Sequence, residues 1–140
     1  DDYALWFTSG KIQMTFNWPE EGVGAGGPNV GNTAFPLNEW AHFAGTWDGS
    51  QIKVYVNGKL DGTFDHPNPI KATNANFYVG VDPGGGDEFF NGVVDEVAVF
   101  HKSLSEEEIL NLMEGFEKAG AAVFPAGKLT TAWGRIKSHL

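Results

Sequence analysis

The pattern of apolar residues changes once along this chain, and the change limits the folds that it can adopt. Apolar and polar residues alternate with a period of two as far as Phe100, and a helical period begins only after Ser105. Because strands come first and a single helix comes last, the pattern argues against parallel strands with crossover helices. We therefore expect an all-β fold, an antiparallel β-sandwich with one short C-terminal helix.

The middle of the chain predicts a meander of three antiparallel strands. The expected spans are residues 39–47, 51–56 and 59–64. Between the last two, Asn57-Gly58 is a strong hairpin signal, because both central residues of a type I′ turn have positive φ. Trp6 and Trp40 lie inside predicted strands, and we expect both to be core residues.

Two more strands are predicted on either side of Ser9-Gly10. The second has one apolar face, which comprises Ile12, Met14, Phe16 and Trp18. Its other face is polar and comprises Gln13, Thr15 and Asn17. This alternation is typical of a half-buried antiparallel strand, with the polar face in solvent.

Residues 75–81 and 93–100 predict two later strands, since both are rich in β-branched and aromatic residues. In the second, alternation places Asp95 on the same face as Val93 and Val97. A buried carboxylate needs a cation, a basic side chain or several backbone N–H groups as its partner. Asp95 is therefore the candidate metal ligand, and the alternative interpretation is a carboxylate that caps backbone amides.

A complete helix start follows this strand. Ser105 is a favourable N-cap, and Glu108 three residues later allows a capping box. Leu104 and Ile109 occupy the positions of a hydrophobic staple. We expect the helix to run from Glu106 to about Glu117.

Three blocks of this sequence resemble a known family. They are residues 39–49, residues 54–59 and residues 92–109. In this order and spacing they are similar to the laminin-G-like domains of the concanavalin A-like lectin/glucanase superfamily. The resemblance extends from Tyr3 to Leu112. We accordingly assign residues 1–118 to one β-sandwich domain and residues 119–140 to a C-terminal tail in which Leu129, Thr131 and Trp133 alternate as in an added strand.

The resemblance implies a jelly-roll sandwich that occurs in secreted and surface proteins, mostly as a binding module. It also implies that an acid near the position of Asp95 helps to hold calcium, which prefers oxygen ligands. The family pattern has further strands before the position of Tyr3. We expect their place to be filled by the tail or by a second molecule, which makes a homo-oligomer an expected state.

Charge and composition exclude several classes of partner. Acidic residues number 18 against 9 basic ones, so the formal net charge of −9 disfavours nucleic acid and anionic membranes. The sequence has no cysteine, which excludes disulfides and thiol chemistry, and no apolar run suggests membrane insertion. With no initial Met and no signal peptide, it reads as a mature or excised part of a longer secreted or cell-surface protein.

Candidate ligand-binding residues lie at predicted strand ends and in connecting loops. Tryptophan and tyrosine rings can stack on sugars, and loop Asn and Asp side chains can hydrogen-bond to sugar hydroxyls. The candidates are Trp18, Asn29, Asn32, Trp47, Tyr78, Asp82 and Asp87. For each aromatic residue the alternative interpretation is packing, and for the acids it is a solvated loop.

Glycoside hydrolysis is the least favoured function. The glucanases of related jelly-roll folds need two acids on one strand face, about 5 Å apart in a retaining enzyme. Asp95 and Glu96 are consecutive, so a strand would point them to opposite faces. The sequence instead favours a non-catalytic module that binds a glycan or a surface protein through rim loops, with calcium as the candidate cofactor. The alternative is a structural module completed by oligomerisation or strand exchange.

Overall fold

The computed structural model describes residues 3–16, 30–34, 36–67, 69, 74, 76–82 and 88–116 of the chain. The elements are β1 (Tyr3–Thr8), β2 (Lys11–Phe16), β3 (Phe43–Trp47), β4 (Gln51–Val56), β5 (Lys59–Asp65), β6 (Val81–Asp82), β7 (Glu88–Phe89) and α1 (Glu106–Met113). Every pair of neighbouring strands is antiparallel. The described residues therefore confirm an antiparallel all-β fold with one short helix.

The predicted meander is confirmed as a sheet in the order β3-β4-β5. Asn57 and Gly58 join its last two strands with φ values of 50° and 74°, as the hairpin signal requires. The first strand begins at Phe43 rather than at residue 39. Just before it, the N–H of Asn57 donates to the carbonyl of His42 at 2.8 Å, and the N–H of His42 donates to Asn57 Oδ1 at 3.0 Å.

Trp40 lies outside β3, and its side chain is 72% exposed. The prediction that Trp40 belongs to the core is therefore wrong. The physical reason is the end of the ladder: β4 has no residue beyond Val56 to pair with Trp40, because Asn57 and Gly58 already form the turn. Trp6, in contrast, is partly buried on β1.

The β1–β2 hairpin packs on one face of the meander and forms a second layer. The core between the layers contains Ile12, Val30, Ile52, Val54 and Val56, with Met14, Phe43, Trp47 and Phe64 packed against it. Val54 has no exposed surface and is flanked in register by Gly45 on β3 and Gly62 on β5. A Cβ built on Gly45 would lie 2.2 Å from Met14 Sδ. These two glycines therefore allow the second layer to approach the sheet closely.

Both faces of β2 are buried. Gln13 and Thr15, on the polar face, are only 2% and 5% exposed, so the prediction of a half-buried strand is wrong for these two residues. β2 is an inner strand: β1 pairs with one of its edges, and residues 30–34 run along the other. On that edge the N–H of Gly31 donates to the carbonyl of Ile12 at 3.1 Å.

The strand predicted over residues 93–100 is not formed, which is a second correction. Most of its side chains, including that of Asp95, are exposed, and Glu96 has a φ of 54° that interrupts an extended backbone. Within the described residues no backbone hydrogen bond reaches residues 93, 94 and 97–99. β-branched residues form a strand only beside a partner strand, and none lies next to this segment in the described part of the chain. The strand predicted at residues 75–81 is likewise reduced to β6, and residue 75 lies outside the described residues.

The capping box of α1 is confirmed. The N–H of Glu108 donates to Ser105 Oγ at 3.2 Å, and the N–H of Ser105 donates to Glu108 Oε2 at 2.8 Å. The helix ends at Met113, earlier than expected, and Gly115 follows with a φ of 121°, a conformation that suits glycine beyond a helix end. This eight-residue helix, the only one in the described ranges, is far too short to traverse a bilayer.

Replacing Ser105 with alanine should lower the free energy of unfolding by about 1 kcal/mol, because the N–H of Glu108 loses its capping acceptor. Urea denaturation followed by circular dichroism measures the change. Ser103→Ala is the matched control, since Ser103 is exposed and precedes the cap without bonding to the helix start in the described structure. Equal stabilities of the two variants would contradict a stabilising role for the cap.

Candidate ligand-binding surface

A small two-stranded hairpin carries several exposed aromatic side chains and two of the predicted site residues. We define this rim hairpin as residues 76–82 and 88–92. Val81 pairs with Phe89 and Asp82 with Glu88, and the N–H of Phe90 donates to the carbonyl of Gly80 at 2.9 Å. The ladder thus fixes the two arms of the hairpin against each other.

Aromatic rings connect the rim hairpin to the core. The ring of Phe90 lies 6.2 Å from that of Phe7 on β1, measured between centroids. Phe7 in turn makes an edge-to-face contact with Phe43 on β3, at a centroid distance of 4.9 Å. This geometry is the favourable one for aromatic pairs. The hairpin is therefore positioned by contacts that extend through both layers of the fold.

The remaining aromatic rings of the rim hairpin are open to solvent. Phe77 is 60% exposed, Tyr78 50% and Phe89 72%. The Nδ2 of Asn76 lies 3.4 Å from the hydroxyl of Tyr78, a long contact that leaves the Tyr78 ring accessible. Three exposed aromatic side chains within one short hairpin are more than isolated surface residues, and such groupings mark interaction sites.

The rim hairpin also carries two acids at paired positions. Asp82 on β6 and Glu88 on β7 are register partners. Carboxylates accept hydrogen bonds from hydroxyl groups, and aromatic rings present apolar faces to the C–H groups of a sugar. The hairpin thus combines the two kinds of contact that a carbohydrate or a polar protein surface could use.

The structure places two of the predicted ligand-binding residues, Tyr78 and Asp82, on this one hairpin. Trp47 lies elsewhere: it is half-buried against the core, and its Nε1 donates to the carbonyl of His66 at 2.8 Å. Trp18, Asn29 and Asp87 lie outside the described residues.

Asn32 is joined to β5 rather than to the rim hairpin. Its N–H donates to Asp61 Oδ2 at 2.7 Å, and its Nδ2 donates to the backbone carbonyl of Asp61. The N–H of Thr33 lies 3.1 Å from both carboxylate oxygens of Asp61, and the Thr33 hydroxyl donates to Oδ1. We call this set of contacts the Asp61 latch, because it ties residues 30–34 to the meander.

The latch changes the acidity of Asp61. Burial by itself raises the pKa of this carboxyl, but the hydrogen bonds from Thr33 and Asn32 and the nearby charge of Lys11 favour the ionised form. These contacts prevail, and the pKa of Asp61 lies below its ordinary value. Asp61 is therefore a structural anion held by donors on the neighbouring segment.

Asp95, the candidate metal ligand, is exposed, and its Oδ1 accepts a hydrogen bond from the N–H of Glu96 at 2.8 Å. This contact matches the alternative interpretation, in which the carboxylate caps a backbone amide. Calcium needs about six to eight oxygen ligands. Among the described residues no group of three or more His, Asp or Glu side chains is placed to hold a metal. Calcium at Asp95 stays a prediction.

Sequence reasoning missed Phe77 and Phe89 as surface residues, and it missed Asp61 altogether. Phe77 and Phe89 occur in apolar runs that are typical of core strands. The turn residues around Asn91-Gly92 could have indicated that Phe89 lies near a rim. No local signal identifies Asp61, because its partners lie 28 and 29 residues away in the sequence.

Comparison with known proteins agrees with this architecture. The family model described as the concanavalin A-like lectin/glucanases superfamily (Laminin_G_3) matches residues 1–110. No curated protein is similar enough to count as a match. Among solved structures, an S-layer domain-containing protein from Clostridium thermocellum is 20% identical with a TM-score of 0.45, and the match covers 79% of this chain and 50% of that one. With a family model that extends over most of its length, this chain belongs to the concanavalin A-like lectin/glucanase superfamily.

Proposed function

We propose that this domain is a non-catalytic binding module that recognises a glycan or a protein partner through the rim hairpin. The observation that carries the proposal is the exposure of Phe77, Tyr78 and Phe89 beside a paired set of acids. The superfamily includes lectins, which is consistent with a sugar ligand. We propose a location outside the cell or at its surface, as the family resemblance implies.

The physical basis of binding is the removal of apolar ring surface from water. Each aromatic ring buried against a ligand contributes roughly 25 cal/mol per Å² of apolar surface. Tyr78 adds a hydroxyl that can form a hydrogen bond at the ring edge. Because Phe90, Phe7 and Phe43 hold the hairpin, its rings need little rearrangement before binding.

A catalytic role is not part of the proposal. Asp95 and Glu96 are consecutive, and the N–H of one donates to the carboxylate of the other. Glycosidases require two carboxylates that face a shared cleft from separate positions. Asp82 and Glu88 are register partners on the rim hairpin, and we assign them the role of hydrogen-bond acceptors for a ligand.

Removal of the exposed rings should weaken binding. Titration calorimetry with a ligand selected on a glycan array is expected to show about a fivefold or greater loss of affinity for Tyr78→Ala and for Phe89→Ala, since one aromatic stacking contact contributes about 1 kcal/mol or more. Trp40→Ala is the control, because Trp40 is equally exposed but lies before β3, away from the hairpin in sequence.

Two results would count against the proposal. One is a glycan array and a surface-protein screen in which the wild-type domain binds nothing. The other is a ligand whose affinity falls with Trp40→Ala but not with either hairpin variant. Adding a chelator to the wild-type titration tests calcium at the same time, because affinity that depends on calcium should fall.

A second function, assembly, is favoured by a separate observation. The apolar side chains of residues 93, 94, 97 and 99 are exposed, and their backbone groups have no hydrogen-bond partners in the described part of the chain. Strand-like segments in this state pair readily with another strand. We therefore propose self-association as the alternative role, with light scattering at increasing protein concentration as its test.

A further inference from the structure

The segment after the rim hairpin has a charge pattern that is complementary to itself. Residues 95–102 read Asp-Glu-Val-Ala-Val-Phe-His-Lys: two acids, four apolar residues and two basic residues. In a second copy that runs antiparallel to the first, the basic end of the segment lies beside the acidic end of the first copy. Two copies placed antiparallel therefore bring opposite charges together at both ends and apolar residues together in the middle.

The structure leaves the middle of this segment available. Val97, Ala98 and Val99 are exposed, and Phe100 is partly buried. The backbone N–H and C=O groups of residues 97–99 make no hydrogen bonds within the described ranges. Exposed β-branched side chains beside unsatisfied backbone groups are the features that strand addition uses.

We propose that residues 95–102 are a self-pairing site at which two copies of this chain form an antiparallel ladder. In this register Asp95 of each copy lies opposite Lys102 of the other, and Glu96 lies opposite His101. The inference rests on the assembly function proposed above and adds the partner, the segment and the register.

Charge selects this arrangement over its competitors. Parallel pairing in register would place each Asp95 opposite the other, and like charges directly opposite each other on a sheet are destabilising. Antiparallel pairing centred between Asp95 and Glu96 would bring four carboxylates together. Only a register centred on the apolar residues places each acidic pair against a basic pair.

Pairing would change the present ion pair of Lys102, the hydrogen bond from the N–H of Glu96 to Asp95 Oδ1, and the backbone conformation of Glu96. The Lys102 ammonium is paired with Glu108 across the surface, and both side chains remain largely exposed, so this ion pair contributes little. Glu96 would move from its left-handed conformation, φ 54°, to an extended one. A left-handed backbone is unfavourable for a residue other than glycine, so this change does not oppose pairing.

The test uses two charge-reversed variants of the whole chain. One is Asp95→Lys with Glu96→Lys, and the other is His101→Glu with Lys102→Glu. Each variant alone presents like charges to its own copy, whereas a mixture of the two restores opposite charges at every position. Sedimentation velocity over a range of concentrations measures the association, and circular dichroism verifies that each variant is folded.

We expect the wild-type chain to dimerise, each variant to lose at least about tenfold in affinity, and the mixture to recover it as a heterodimer. A wild-type chain that is monomeric at all concentrations overturns both this site and the assembly function. A dimer that neither variant weakens leaves assembly standing and overturns the site. Variants that dissociate alone and do not combine when mixed overturn the proposed register.

Discussion

Replacing Gly62 with alanine is expected to destabilise the domain by about 3 kcal/mol, the upper end of the range for an overpacked core. A Cβ on Gly62 would lie 1.5 Å from the carbonyl oxygen of Val30 and 2.6 Å from its carbonyl carbon. These are backbone atoms, so no side-chain rotation can relieve the overlap. Residues 30–34 would have to move away from the meander, against the hydrogen bond of Gly31 to β2 and the Asp61 latch.

Gly45→Ala is the matched control, because Gly45 flanks Val54 from the other side. Its added Cβ would meet Met14 Sδ and Leu5 Cδ1, which are the ends of flexible side chains, so the expected loss is about 1 kcal/mol. Urea denaturation of both variants gives the comparison. Where no overlap occurs, replacing glycine with alanine stabilises a protein by up to about 1 kcal/mol, because alanine restricts the unfolded chain. A Gly62→Ala protein that is more stable than wild type would therefore refute the packing argument.

The parts of the fold that the sequence predicted are those with local causes. The Asn57-Gly58 turn needs only two residues that tolerate positive φ, and the capping box needs only Ser105 and Glu108. The turn after β3 also has a local cause: Asp48 Oδ1 accepts hydrogen bonds from the N–H groups of Ser50 and Gln51. Each of these contacts spans at most three residues, so the amino acids themselves determine it.

Predictions failed where the outcome depends on distant parts of the chain. The valines between residues 93 and 99 fit a half-buried sheet surface, but a side-chain pattern does not supply a partner strand. The sequence around Trp40 also fits a core strand. Trp40 has no partner on β4, because the Asn57-Gly58 turn follows Val56 directly. Burial of Gln13 depends on a strand paired at both edges, one of them by residues 30–34.

The residues of the candidate site also divide into those with a local sequence signal and those whose position depends on distant contacts. Tyr78 and Asp82 are polar or amphipathic residues close to a glycine-rich loop, and both lie on the first arm of the rim hairpin, where Asp82 pairs with Glu88. Phe89 could not be identified in this way, because phenylalanine in an apolar run normally indicates a core position. Its exposure follows from the aromatic contacts, which direct Phe90 toward Phe7 and leave the preceding residue outside.

Replacing Asp61 with alanine is the second change expected to have a large effect, a loss of about 2 kcal/mol at neutral pH. The carboxylate accepts hydrogen bonds from the N–H groups of Asn32 and Thr33 and from the Thr33 hydroxyl. Hydrogen bonds to a charged group contribute about 1.5–3 kcal/mol, and partial exposure to water places the expected loss at the lower part of this range. Asp65→Ala is the control on the same strand, since Asp65 accepts only an exposed contact from Gln51 Nε2 in the described structure.

The loss caused by Asp61→Ala should depend on pH. Because the folded-state pKa of Asp61 is lowered, the unfolded chain binds the proton more readily, and the stabilising effect declines as the pH falls. The effect is fully present well above the ordinary Asp pKa of about 3.9, and it fades as the pH drops through the lower folded-state value. Urea denaturation of wild type and variant at each pH isolates Asp61, because the other carboxylates titrate in both proteins. A difference in the free energy of unfolding that is the same at pH 7 and at about pH 3 would show that the charge of Asp61 does not hold residues 30–34.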